Sequence, residues 1–137
     1  MGRNRGRDNR RPAGRGTDTD HRIITGPPRE RSAEIPAAES TARESALVAR
    51  IETYLRRQPQ CWVRKTHGSA YSSGLADLIG CWHGRFFAVE VKRPGEEPTP
   101  LQAQALREVR RSGGLAVWCD QFEDFLTFAQ EFRQSMQ

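Results

Sequence analysis

Apolar positions recur along this chain at two different periods. Leu47, Val48, Ile51, Tyr54 and Leu55 form one stripe at helical spacing and predict a first helix over 41–57. Residues 61–66, Cys-Trp-Val-Arg-Lys-Thr, follow Gln58-Pro59-Gln60 and read as the first strand. Two apolar, β-rich runs, 75–82 and 85–91, are joined by His83-Gly84, a short Gly-containing link that signals a hairpin. Thr99-Pro100-Leu101-Gln102 then opens a second helix, with Thr as N-cap, Pro at N1 and Gln at N3. Leu101, Ala105, Leu106 and Val109 are its inward positions, and Gly113-Gly114 ends it. Residues 115–119 read as a buried strand. Asp120-x-x-Glu123 predicts the cap of a last helix with Phe122, Phe125, Leu126, Ala129 and Phe132 on its apolar face. That stripe is core, with a homodimer contact as its other use. The order is α-β-β-β-α-β-α, an α/β sandwich with a central hairpin. Residues 1–39 carry almost no large apolar groups beyond Ile23, Ile24 and Ile35, and are expected to be disordered.

Three charges sit in the hairpin where packing alone would not place them. Asp77 lies between Ala76 and Leu78, while Glu90 and Lys92 flank Val91 at the far end of the second run. Residues two apart on a strand share a face, so Glu90 and Lys92 point the same way. The midpoint of 77 and 90 falls inside the His83-Gly84 turn, which sets Asp77 opposite Glu90. Opposed residues have Cβ atoms about 4.5–5.5 Å apart, where like charges repel. Two carboxylates that close in an apolar sheet call for a cation between them, and a divalent metal with oxygen ligands suits that need. The plainer reading makes Asp77 a strand-start residue and Glu90–Lys92 a surface ion pair.

Composition narrows the setting. With 137 residues, 36% of them hydrophobic, the chain allows one domain with a modest core. No apolar run of about 18 residues predicts a transmembrane helix, and no charged start with an apolar h-region predicts a secretory signal. Cys61, Cys81 and Cys119 are odd in number, form no CxxC pair, and read as reduced core residues in a cytoplasmic setting. The net charge of +5 is uneven. Residues 1–16 hold six Arg against one Asp, whereas 44–137 hold twelve basic and eleven acidic residues. The basic tail is either an arm for nucleic-acid phosphates or a plain solvated tail. Of 22 basic residues only Lys65 and Lys92 are Lys, so a chain that otherwise uses Arg keeps a compact ammonium beside the acidic pair.

Taken together, Ala76-Asp77 … Glu90-Val91-Lys92 resembles the PD-(D/E)xK nuclease motif, with Ala76 where that superfamily usually has Pro. The longer run Lys65-Thr66-His67-Gly68-Ser69 … Gly74-Leu75-Ala76-Asp77-Leu78-Ile79-Gly80, then Phe87-Ala88-Val89-Glu90-Val91-Lys92 and Pro98-Thr99-Pro100-Leu101-Gln102, is similar to the small VRR-NUC branch. The resemblance spans about residues 44–125. It implies a restriction-endonuclease-like αβββαβ core, a three-layer α/β/α sandwich with a central mixed sheet, in a nuclease domain over 40–137. It also implies Mg²⁺ or Mn²⁺ held by Asp77, Glu90 and the Val91 carbonyl, with Lys92 beside them. The expected activity is metal-dependent endonuclease cleavage of DNA that leaves a 5′-phosphate, guided by structure such as a junction or flap. The small form looks like phage-type members, and a helicase or other DNA-processing partner is compatible with it.

Two further residues carry double readings. Glu44 is either the N3 half of a Thr41-x-x-Glu44 capping box or the first-helix acid that completes the metal shell in this family. Gln102 is either the N3 half of its own capping box or the Gln that reaches the active site. The Gly/Ser loop after Lys65 offers His67, Ser69 and Tyr71, which with Lys65 and Arg93 are the candidate nucleic-acid contacts. His67 is a phosphate contact or proton donor rather than a metal ligand, because hard divalent cations prefer oxygen. Arg107, Arg110 and Arg111 are expected on an outer, solvated face. Two other functions remain in view, a non-catalytic nucleic-acid-binding module and a scaffold of a DNA-processing complex.

Overall fold

The computed structural model describes residues 36–66 and 74–137. Its elements are helix α1 (Ala37–Arg56), strand β1 (Cys61–Lys65), strand β2 (Leu78–Trp82), strand β3 (Arg85–Val91), helix α2 (Pro100–Arg111), strand β4 (Leu115–Cys119) and helix α3 (Phe122–Ser135). They form one four-stranded sheet in the order β1-β2-β3-β4. The first three strands run antiparallel, and β4 joins β3 in parallel, so the sheet is mixed. The fold class is α/β.

Strand periodicity sorts the sheet into two faces. Val63, Leu78, Trp82, Phe87, Val89 and Val91 point to the face covered by α1 and α3, where Val48, Ile51, Leu55, Phe125, Ala129 and Phe132 complete the main core. The other face carries a smaller core of Ala76, Ala88, Leu106 and Ala116 under α2. The last helix therefore packs beside α1 as part of the main core. Burial of its aromatic stripe, with Phe132 tilted against Trp82 at 4.8 Å between centroids, explains why α3 is anchored.

Several expectations need correction. Of the cysteines, Cys119 is in the core, but Cys61 is half-buried in the edge strand β1 and Cys81 is exposed, because it lies on the sheet face away from α1 and α3. The first helix starts at Ala37 after Pro36, taking in three residues assigned to the tail. Thr41 therefore lies inside α1, its hydroxyl donating to the Ala37 carbonyl at 3.0 Å, and the Thr41–Glu44 capping box does not form. Gln121, not Asp120, is the N-cap of α3 and makes no side-chain cap bond; Asp120 accepts from the Gly95 amide at 3.1 Å instead. Leu101 is 56% exposed rather than inward. Arg110 is half-buried, donating from Nε to the Ala116 carbonyl at 3.1 Å, because the turn of α2 carries it back over β4.

Candidate metal and phosphodiester site

The turn between β2 and β3 fixes the site. His83 and Gly84 both adopt left-handed backbone, at φ 49° and 79°, as a two-residue hairpin of right-handed twist requires. With that turn the register pairs Leu78 with Val89, and one step further brings Asp77 opposite Glu90. Glu90 then points to the α2 face, and Asp77 turns its carboxylate along the strand edge toward the Val91 amide. Asp77 stands just outside β2, its Oδ2 accepting from the Val91 amide at 2.7 Å. The carboxylate thereby takes over the hydrogen bond that the next residue of β2 would have supplied to β3. Among the described residues its Oδ1 has no hydrogen-bond partner.

Glu90 is 4% exposed. Its Oε1 receives the Lys92 ammonium at 3.4 Å and the Gln102 side-chain amide at 3.1 Å. Burial and the neighbouring Asp77 carboxylate push the Glu90 carboxyl from 4.5 up to about 7, with Lys92 pulling the other way and Glu44 adding a smaller push. One ammonium does not neutralise the pair, so a further positive charge at this spot would stabilise both ionised forms.

Gln102 closes its capping box and also reaches Glu90. Its Oε1 accepts from the Thr99 amide at 2.9 Å and the Thr99 hydroxyl accepts from the Gln102 amide at 3.3 Å, closing the capping box of α2. The same side chain donates to Glu90. Helix capping and site geometry thus share one amide.

The remaining candidates separate. Glu44 reaches the same end of the sheet from α1, but its Oε2 is held by Arg93 Nε at 3.4 Å. That ion pair engages Arg93 from within the chain, as does Glu96 at 4.0 Å. Lys65 follows the alternation of β1 and lies on the α1 face, across the sheet from Asp77 and Glu90. Val91 directs its amide toward Asp77, and its carbonyl lies along the same strand edge. His67, Ser69 and Tyr71 lie outside the described residues. Among the described residues no three His, Cys, Asp or Glu side chains converge on one point. No helix among them is long and apolar enough to cross a membrane.

Sequence reasoning missed a neighbouring surface. Trp62 and Arg64 point to the Glu90 face from β1, and Phe86 does so from β3. Their alternation is readable, but nothing in the sequence says that α2 leaves this part of the sheet bare.

No protein-family model matches the chain, and neither a curated protein nor a solved structure matches it.

Proposed function

We propose that the chain is a metal-dependent nuclease that hydrolyses phosphodiester bonds, with Asp77, Glu90, Lys92 and Gln102 as its working residues on a restriction-endonuclease-like, VRR-NUC-like core. The observation that carries this reading is the convergence on Glu90. A buried carboxylate faces a second one across the hairpin and shares one oxygen between an ammonium and a side-chain amide. Asp77 also ends the β2 ladder at the Val91 amide, but one ammonium beside two carboxylates leaves the pair short of positive charge.

The donors suit a hard divalent cation. Asp77 and Glu90 offer oxygen ligands from two strands, and each keeps one oxygen uncommitted among the described residues. These two, the Val91 carbonyl and water would hold Mg²⁺ or Mn²⁺. Glu44, paired with Arg93, contributes charge from α1. When bound, such an ion supplies the Lewis acidity that makes water a nucleophile at neutral pH and offsets charge on the phosphate. The chain supplies the rest. Lys92 sets a compact positive charge beside Glu90, where it orients the attacking water and stabilises the oxygens of the scissile phosphate. Gln102 fixes the rotamer of Glu90 by anchoring to the capped N-terminus of α2, and rigid placement of this kind lowers the cost of reaching the reactive geometry. No covalent enzyme intermediate is required. DNA is the expected substrate, with junctions, flaps and other branched forms ahead of site-specific duplex cutting.

Labelled junction, flap, duplex and single-strand substrates, incubated with Mg²⁺, Mn²⁺ or EDTA, test the reading. Cleavage is expected with either metal, absent in EDTA, and reduced at least about a hundredfold in Lys92→Ala or Asp77→Ala that melt normally. Undiminished cleavage by either variant would overturn the assignment. Tight metal-independent binding without cutting would leave the non-catalytic module.

A further inference from the structure

The face that carries Glu90, with Asp77 at its edge, extends well beyond them. Among the described residues helix α2 covers it over β3 and β4, with Ile79 of β2 tucked against the same small core. Beyond Ile79, the solvent-facing positions of β1 and β2 on this face are Trp62, Arg64 and Cys81, and Phe86 of β3 lies beside them. Trp62 is 53% exposed and Phe86 45%, with Arg64 and Cys81 also in solvent. The register sets Trp62, Cys81 and Phe86 side by side across three strands, so the two aromatics flank a small residue. Their Cα atoms are about 10 Å apart at ~4.8 Å per strand.

Two features select an occupant. The Arg64 guanidinium lies 5.3 Å from the Trp62 ring centroid, so a cation and a π-face are presented together. Among the described side chains of β1–β3 on this face, Arg64 is the only charge outside the Asp77–Glu90 pair. An anionic chain that also carries flat rings matches both. In a duplex those rings are stacked on one another, so a solvent-facing indole is useful to a base only when the strand is unpaired or splayed. From the Trp62–Cys81 pair to Asp77 is four residues along β2, about 13 Å, which roughly four stacked nucleotides span.

We propose that this sheet face, with Trp62 at its far end and Arg64 midway, is a docking track for unpaired nucleotides that lead into the Asp77–Glu90 site. The proposal rests on the nuclease reading for the destination of the strand, but binding to the track needs no metal and no cleavage. The substrate class is therefore nucleic acid with a single-stranded segment next to the cut.

Fluorescence anisotropy of the full chain in EDTA measures this, using a labelled single-stranded DNA oligonucleotide and the same sequence as a blunt duplex. Trp62→Ala is expected to weaken single-strand binding roughly five- to a hundredfold and duplex binding far less, with Trp62→Phe restoring most of it. Arg64→Ala is expected to lower the salt slope of single-strand binding by about 0.7. Equal single-strand affinity in the parent and Trp62→Ala overturns the track, even where metal-dependent cleavage lost in Lys92→Ala upholds the nuclease. Single-strand binding that depends on Trp62, with no cleavage under any metal, upholds the track and removes the nuclease reading. If Trp62→Ala instead converts a dimer to a monomer by sedimentation and leaves DNA affinity unchanged, the face is a self-association surface and the proposal falls.

Discussion

At the scale of single residues, Glu90 is held at an energetic disadvantage. Burial and the Asp77 carboxylate raise its carboxyl from 4.5 to about 7, so the folded state keeps a proton that the unfolded chain has already released. Stability should therefore decline as pH rises from about 4.5 to about 7 and level off above that. Glu90→Gln removes the titration. In EDTA above pH 7 it is expected to be more stable than the parent by on the order of 1–3 kcal/mol, with little difference below pH 4.5. Magnesium should narrow or reverse the gap, because only the parent offers the carboxylate. Thermal melts across pH, with and without the metal, check this; parallel profiles for the two proteins would contradict it. The residues at this centre were largely legible, since Asp77, Glu90, Lys92 and Gln102 are fixed by strand alternation and by a capping box. Glu44 was half legible. Residues 37–46 have no apolar stripe to announce a helix, so the true start at Ala37 was hidden and Thr41 stood out as a false cap.

At the scale of elements, β2 depends on a missing side chain. A Cβ on Gly80 would overlap the Trp62 carbonyl oxygen of β1 and the Phe87 ring of β3. Neither neighbour can yield, because one is backbone and the other is fully packed in the core. Gly80→Ala should destabilise by at least ~3 kcal/mol, or prevent folding, as read by circular dichroism melts of soluble protein. A melt within about 1 kcal/mol of the parent would show that the strands separate freely. The strand itself was legible from its apolar run; its true start at Leu78 was not. Residues 75–77 look equally β-like, but Asp77 ends the ladder by using its side chain in place of its backbone.

At the scale of the whole molecule, the sheet is a two-sided wall with unequal cover. The α1–α3 side holds the main core, to which α3 contributes Phe125, Ala129 and Phe132. A chain stopped after Gln121 would leave Trp82 and Tyr54 without their aromatic partners. It is expected to lose its cooperative thermal transition, and a sharp melt of the shortened chain would contradict that. Element order and fold class were readable because helical and strand periods alternate cleanly along the sequence. The bare part of the α2 side was not, since strand order and helix placement are set by long-range packing. An exposed Trp62 on a strand looks the same in sequence as a buried one.

The His83-Gly84 turn has a consequence for how this chain can vary through descent. It lies about 20 Å from Asp77 along β2 and touches none of the site, yet it counts out the register that sets two acids face to face. Adding or removing one residue there would leave a perfectly good hairpin while turning every side chain of one strand to the opposite face. Lineages that keep the site are thus bound to an even arithmetic at a solvent-exposed loop tip, a place where insertions are ordinarily free. Selection on the chemistry would be visible there as a constraint on length rather than on residue identity.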